Sequence, residues 1–89
     1  MVYITHVHME GGTRHEHIAS VKWKNPADGK TGESTRAQMV EWLRVKGNEA
    51  KVTDGKNTVD VGVYETQPPH IQTHADGKWT DNLLALPRY

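Results

Sequence analysis

Apolar and polar positions alternate in the first part of the chain, and this pattern predicts a β-hairpin. Residues 2–9 are rich in β-branched and aromatic side chains, as expected of a strand. Gly11 and Gly12 favour a tight turn, because glycine adopts positive φ without a steric penalty. Residues 14–24 then alternate as a second strand, which ends at the turn-forming segment 25–29. One face of this strand carries His15, His17, Ala19, Val21 and Trp23, and the other carries Glu16, Ile18, Ser20, Lys22 and Lys24.

A capped amphipathic segment predicts the main helix over residues 34–46. Ser34 or Thr35 provides the N-cap, and Thr35 with Gln38 fits a capping box. Gly47 suits the position after the last turn, where positive φ is common. The expected inward stripe consists of Met39, Val40 and Leu43, with Trp42 on its flank.

A second hairpin is predicted after the helix. Its strands cover residues 49–53 and 58–64, and the turn between them covers residues 54–57. If that turn is symmetric, the facing pairs are Val52 with Val59 and Ala50 with Val61. These four residues then form one apolar face together with Val63.

The last part of the chain predicts a strand over residues 70–75 and a short helical turn over residues 83–86. A turn at Asp76-Gly77 separates them. Asp81 or Asn82 caps the helical turn, and the proline that follows it ends it.

Hairpins on both sides of a single helix indicate an α+β fold. We expect a small antiparallel β-sheet, in the order β-β-α-β-β-β, with the main helix packed on one face and a short C-terminal helical turn. The chain has 89 residues and shows no repeat or linker, so residues 1–89 form a single domain.

The composition narrows the function classes. Eleven basic and eleven acidic residues cancel, so there is no global electrostatic attraction to nucleic acid or to anionic membranes. The chain contains no cysteine, which excludes disulfides, thiol catalysis and the common structural zinc sites. It shows neither a long apolar run nor a signal-peptide pattern at its start, so we expect a cytoplasmic protein without membrane contact.

Six histidines are the compositional excess with chemical content. A symmetric turn at the first hairpin places His8 opposite His15 and His6 opposite His17, which gathers four imidazoles into one patch. Such a patch is a candidate zinc site or a pH-sensitive surface. A three-residue turn instead places Val7 against His17 and Met9 against His15. The sequence leaves both turns open, and hydrogen-bonded histidines without a metal are the simpler interpretation.

The other polar and aromatic features are weaker. A local basic strip interleaves with acidic side chains, which is typical of a solvated mixed surface. This strip consists of Arg14, Lys22, Lys24 and Lys30, and the acidic residues are Glu10, Glu16 and Asp28. Trp23 and Trp42 are expected in the core, whereas Trp79 follows a turn and is the candidate for an exposed contact residue.

Two motifs in the chain are distinctive, His-Glu-His-Ile at residues 15–18 and Asp-Gly-Lys-Trp-Thr-Asp-Asn-Leu-Leu-Ala-Leu-Pro at residues 76–87. Together with the segments 21–23 and 34–42, they resemble a family of short bacterial and phage proteins catalogued as domain of unknown function 3892. The resemblance implies a free-standing cytoplasmic protein of bacterial or phage origin, and it implies no known activity or cofactor. It singles out His15, Glu16, His17, Trp79, Asp81 and Asn82.

We therefore expect a non-enzymatic binding module that contacts a protein partner and modulates it. Its candidate binding residues are His15, His17, Trp79, Asp81 and Asn82. The first alternative is a nucleic-acid-associated accessory protein that uses the basic strip. The second is a metal-dependent or histidine-based enzyme centred on His6, His8, His15 and His17. No catalytic residue and no cofactor is assigned.

We predict that the purified protein holds no stoichiometric transition metal. A stable site usually needs three or four converging ligands, each oriented by a hydrogen-bonding partner. On a regular strand, Glu16 points away from His15 and His17 and cannot complete the set. Elemental analysis of untagged protein, followed by thermal melts with and without chelator, measures this. About one bound zinc per chain, with a lower Tm in chelator, would contradict the prediction.

Overall fold

The computed structural model describes residues 1–75 and 77–89, and this part of the chain forms one seven-stranded sheet and one α-helix. Short 3₁₀ turns cover His15–His17 and Asn82–Ala85. The elements are β1 (Val2–Met9), β2 (Ile18–Lys24), β3 (Thr31–Thr35), α1 (Arg36–Arg44), β4 (Ala50–Thr53), β5 (Thr58–Tyr64), β6 (His70–Ala75) and β7 (Lys78–Thr80). None of the helices in the described ranges is long and apolar enough to cross a membrane.

The sheet is mixed, so the predicted small antiparallel sheet with the helix on one face is wrong. The strand order is β3-β2-β1-β4-β5-β6-β7. Every neighbouring pair is antiparallel except β1 and β4, which run parallel, with Val2 beside Ala50 and Tyr3 beside Lys51. The chain leaves β3, forms α1 and returns on the far side of β1, and such a crossover produces a parallel pair.

Two strands were not expected from the pattern, and both lie at the outer ends of the strand order. The β3 segment, Thr31–Thr35, contains no large apolar residue, and it forms because it pairs with β2 along its length. β7 has only three residues and pairs with β6. Of the predicted turn between them, Asp76 lies outside the described residues, and Gly77 has a φ of 76°.

The hydrophobic core draws on both halves of the sheet and on the helix. α1 contacts β2 and β3 in one half and β5 and β6 in the other. Met39 and Val40 are buried, and Leu43 and Trp42 pack against the core as partly buried residues, which confirms the predicted stripe. Each fully buried aliphatic side chain contributes about 1.5–3 kcal/mol. The buried apolar residues are Val2, Ile4, Val7, Ile18, Val21, Met39, Val40, Ala50, Val52, Val61, Ile71 and Leu83.

The capping box of the helix is confirmed. The backbone N–H of Gln38 donates to Oγ1 of Thr35 (3.2 Å), and the backbone N–H of Thr35 donates to Oε1 of Gln38 (2.8 Å). Ser34 is not the cap, because it lies in β3 and its hydroxyl accepts a hydrogen bond from the Trp23 indole (3.1 Å). The helix ends at Arg44, since Val45 already has an extended backbone.

The two hairpins differ in how well the pattern predicted them. In the second hairpin the pairs Val52–Val59 and Ala50–Val61 form as expected. In the first, β2 begins only at Ile18, and the register shifts between His8 and Met9. This irregularity turns Ile18 inward, where it is fully buried, although strict alternation placed it on the opposite face from Val21.

The C-terminal segment packs beside β1 where β4 no longer pairs with it. The backbone N–H of Val7 donates to the carbonyl of Pro87 (3.0 Å), and the N–H of Tyr89 donates to the carbonyl of Val7 (3.2 Å). Asp81 occupies the N-cap position of the last 3₁₀ turn, but its side chain forms no capping hydrogen bond within the described residues.

We predict that Gly32→Ala destabilises the fold. A Cβ on Gly32 would lie less than 3.0 Å from atoms of the Trp23 ring, so the ring or the strand must move. Such overpacking costs about 1–3 kcal/mol in the free energy of unfolding, which urea denaturation measures. Thr31→Ala, on an exposed position of the same strand, is the control and should change stability by no more than about 0.5 kcal/mol. Equal stability of the two variants would show that Trp23 does not rest on Gly32.

Candidate functional site

The patch of four histidines does not form, and both predicted turns are wrong. β1 pairs with β2 so that His6 lies opposite Lys22 and His8 lies opposite Ser20. His15 and His17 lie in a 3₁₀ turn outside the strand. The loop that contains the two glycines is longer than either predicted turn, because β2 starts at Ile18.

His6 and His8 instead contact the C-terminal residue of the chain. Nδ1 of His8 lies 2.6 Å from the carbonyl oxygen of Tyr89, and this contact is the largest cause of the raised pKa of His8. The Tyr89 ring meets both imidazoles, its hydroxyl lies 2.8 Å from Oγ of Ser20, and Nζ of Lys22 lies 4.6 Å from its centre. The role of this pair is therefore to hold the C-terminal segment on the sheet.

A second group of histidines forms an aromatic cluster with Tyr64 and Trp79. We define the aromatic cluster as His15, His70, Tyr64, Trp79 and His74. The rings of His15 and His70 stack with centroids 6.0 Å apart, and those of His70 and Tyr64 stack at 5.0 Å. Trp79 then meets Tyr64 edge-on at 4.8 Å and His74 at 5.4 Å. The contacts run in an unbroken chain from a buried imidazole to the surface.

The buried end of the cluster is held by strand pairing and side-chain hydrogen bonds. His70 is opposite Tyr64 in the β5–β6 ladder, and it is 5% exposed. Its Nδ1 lies 2.9 Å from the hydroxyl of Thr66, and its Nε2 lies 3.2 Å from Oε1 of Gln72. Both ring nitrogens thus have partners, which fixes the plane on which the neighbouring rings stack.

His15 has a different environment. It is 9% exposed, its Nε2 is buried, and no group in residues 1–75 and 77–89 forms a hydrogen bond with that atom. Oδ1 of Asp81 lies 3.9 Å from this atom, beyond hydrogen-bonding distance. Burial lowers the pKa of His15 and outweighs the opposing effects of Asp81 and Glu16, while His70 lowers it further. The neutral imidazole is therefore favoured in the folded protein.

The exposed end of the cluster is Trp79 with Tyr64. Trp79 is 44% exposed and Tyr64 is 37% exposed, which confirms the expected exposure of Trp79. Gly62 lies beneath His74 and Trp79, since a Cβ there would be 3.1 Å from His74 and 3.5 Å from Trp79. The indole of Trp79 and the phenol of Tyr64 are thus presented to solvent on a closely packed base.

The predicted candidate residues are only partly brought together. His15, Trp79 and Asp81 lie in or beside the aromatic cluster. His17 instead accepts a hydrogen bond from the backbone N–H of Arg14 (3.1 Å) and packs against the glycine loop. The backbone N–H of Asn82 donates to the buried Thr73 hydroxyl (3.1 Å), which makes it part of the structure beneath β7.

The sequence analysis did not identify three members of the cluster, Tyr64, His70 and His74. Tyr64 ends one predicted strand and His70 begins the next, so a β5–β6 hairpin would have predicted their cross-strand pairing. The sequence pattern could not predict the contact of His70 with His15, because these residues are 55 positions apart and only the tertiary fold brings them together. Among the described residues, no group of three or more potential ligands is arranged to hold a metal ion.

The fold and the aromatic cluster define a small mixed-sheet protein with an exposed aromatic surface. It belongs to the family described as protein of unknown function (DUF3892), whose profile matches residues 3–87. This confirms the family indicated by the sequence motifs. Comparison with curated proteins found no match, and comparison with solved structures found none.

We predict that His15 makes stability fall in mild acid. Its pKa in the folded protein lies below the ordinary value of 6.5, so between these two values the unfolded chain binds more protons. The free energy of unfolding therefore decreases as the pH falls through about 6.5, and this loss ends below the folded-state pKa. The raised pKa of His8 has the opposite effect on the pH dependence of stability. His8 is present in every variant compared, so its effect cancels in the comparison.

The test is His15→Phe, which keeps a ring for stacking and removes the titration. Urea denaturation between about pH 5 and pH 7.5 should give a flatter stability profile for His15→Phe than for the wild type. Thr31→Ala, at an exposed position and without loss of a titratable group, is the control and should keep the wild-type slope. A wild-type slope in His15→Phe would assign the acid sensitivity to another group.

Proposed function

We propose that this protein is a non-enzymatic module that binds a protein partner through Trp79 and Tyr64. The single observation that carries the proposal is the mutual contact of these two exposed rings, 4.8 Å apart, on a packed base. Tryptophan and tyrosine are enriched among the residues that dominate protein interfaces. Rings that are already fixed lose little conformational freedom on binding, which favours affinity.

The position of Trp79 in the sheet supports a protein partner. Trp79 is the central residue of β7, which is the last strand in the order of the described sheet. An outer strand offers backbone groups to an added strand from a partner, and the side chains beside it supply specificity. A partner segment along β7 would bring its own side chains directly onto Trp79.

The two alternatives have less support. For nucleic-acid binding, the basic strip is interrupted by acidic groups, and Lys22 lies opposite Glu33 while its ammonium group covers the Tyr89 ring. For a histidine-based enzyme, the four-histidine arrangement on which that hypothesis depended is not formed. We propose further that the protein is cytoplasmic, of bacterial or phage origin, and that its partner is a host factor whose activity it modulates.

The experiment compares Trp79→Ser with Val45→Ser. Val45 is 57% exposed and lies at the end of α1, so its variant loses an exposed apolar side chain away from the aromatic cluster. The wild-type protein is used to capture a partner from its own cell, and the purified partner is then titrated against each variant. Thermal melts check that both variants are folded.

We expect Trp79→Ser to weaken the partner about 30-fold or more, the size of effect typical of an interface tryptophan. Val45→Ser should stay within about twofold of the wild type. Undiminished binding by Trp79→Ser would refute the proposed surface. Recovery of nucleic acid, with retention on DNA that falls steeply with salt, would favour the accessory-protein alternative.

A further inference from the structure

A cleft separate from the aromatic cluster lies between α1 and the end of the sheet formed by β1, β2 and β3. Its volume is about 410 Å³, within the range of small-molecule sites. Trp23 comes from β2 and Trp42 from α1, so two indoles from different elements border one space. Other lining residues are Val2, Asn25, Ser34 and Gln38.

The Trp23 wall of the cleft is fixed in place. Its indole N–H donates to Oγ of Ser34 (3.1 Å), and its ring lies against Gly32, where no side chain intervenes. Trp42 is on a helix whose first turn is closed by the capping box. A planar aromatic ligand gains from such preformed aromatic surfaces, because stacking then costs little reorganisation.

Each of three polar side chains in the cleft lining already accepts one hydrogen bond. Oε1 of Gln38 accepts from the backbone N–H of Thr35 (2.8 Å), and Oδ1 of Asn25 accepts from that of Ala27 (3.0 Å). A backbone N–H requires an oxygen as its partner, so the remaining group of each side-chain amide is NH₂. The Ser34 hydroxyl already accepts from Trp23 and keeps its own proton to donate. Each of these three residues therefore keeps a donor group that forms no hydrogen bond within the described part of the chain.

The cleft does not suit a cation. Among the described residues that line it, Glu33 is the only charged one, and it alternates with Gly32 and Ser34 along β3. Its side chain therefore points to the face opposite the one shared by Trp23 and Ser34, where its cross-strand neighbour is Lys22. Of the lining residues that the structure describes, those on the face with the indoles include the three donor-bearing side chains and no carboxylate.

We propose that this cleft binds a small planar aromatic compound whose edge carries hydrogen-bond acceptors, such as an aromatic carboxylate. The ring stacks on the indoles of Trp23 and Trp42, and the acceptor oxygens receive hydrogen bonds from the donor groups of Ser34, Gln38 and Asn25. This site is independent of the protein-binding surface at Trp79, and either can fail without the other.

The test uses the indole N–H signals of the three tryptophans in ¹⁵N-labelled full-length protein. The signals are assigned from single Trp→Phe variants, and benzoate is the probe. We expect saturable shifts of the Trp23 and Trp42 signals with a Kd of about 1 mM or tighter, while the Trp79 signal stays in place. Cyclohexanecarboxylate, which lacks the aromatic plane, and benzylamine, which carries a cation, should each bind at least about tenfold more weakly.

The discriminating variant is Gln38→Glu. A glutamate at this position keeps the oxygen that completes the capping box, so the helix is retained, but it replaces the NH₂ donor with a negative charge. Benzoate should lose at least about tenfold in affinity, and benzylamine should not. Trp79→Phe is the matched control and should bind benzoate as the wild type does.

The proposal is overturned if benzoate produces no saturable shift up to about 20 mM, well above the Kd expected for a ring-sized ligand. It is also overturned if the shifts are confined to Trp79, or if Gln38→Glu binds benzoate as tightly as the wild type. Preferential binding of benzylamine by the wild type would show that the charge preference was assigned wrongly.

Discussion

The short parallel pairing of β1 with β4 is the contact on which the sheet depends. It consists of Val2 and Tyr3 beside Ala50 and Lys51, and it begins with a hydrogen bond from the N–H of Val2 to the carbonyl of Glu49 (3.0 Å). The sheet has one half on each side of this pairing, β1 to β3 and β4 to β7. Within each half, strands that follow one another in the chain lie side by side and run antiparallel. Because Val2 and Ala50 are buried, these few hydrogen bonds form away from water, where they are stronger.

The helix secures this junction by packing against both halves. Met39 and Val40 are buried in the core, and α1 contacts strands on each side of the parallel pair. The C-terminal segment makes a third connection, since its last residues hydrogen-bond to Val7 beyond the point where β4 diverges. Joining segments so distant in the chain has an entropic cost, which the shared apolar core offsets.

The aromatic residues divide between three settings that the same sheet creates. Trp23 and Trp42 border a cleft at one end, Trp79 is exposed on an outer strand, and Tyr89 is clamped on β1 and β2 by His6 and His8. The aromatic cluster connects the buried imidazole of His15 through neighbouring rings to the exposed indole of Trp79. The exposed rings of this surface therefore rest on packed residues.

Local patterns in the sequence determined the elements whose contacts are close in the chain. The capping box of Thr35 and Gln38 spans three residues, and the Val52–Val59 register follows from one short turn, so each was predictable from propensity and alternation. Family membership also followed from motifs in the sequence. The exposure of Trp79 was predictable from its place after a turn.

Only the tertiary structure decided the parallel pairing of β1 with β4, the polar strand β3 and the contact of His15 with His70. The first joins residues about fifty positions apart, and no local pattern encodes a partner at that distance. The second forms because β3 pairs with the edge of β2 that β1 leaves open, although Thr31–Thr35 has no apolar face of its own. The third depends on His15 lying outside the strand predicted for it. The register shift that buries Ile18 makes β2 begin at that residue, after both histidines.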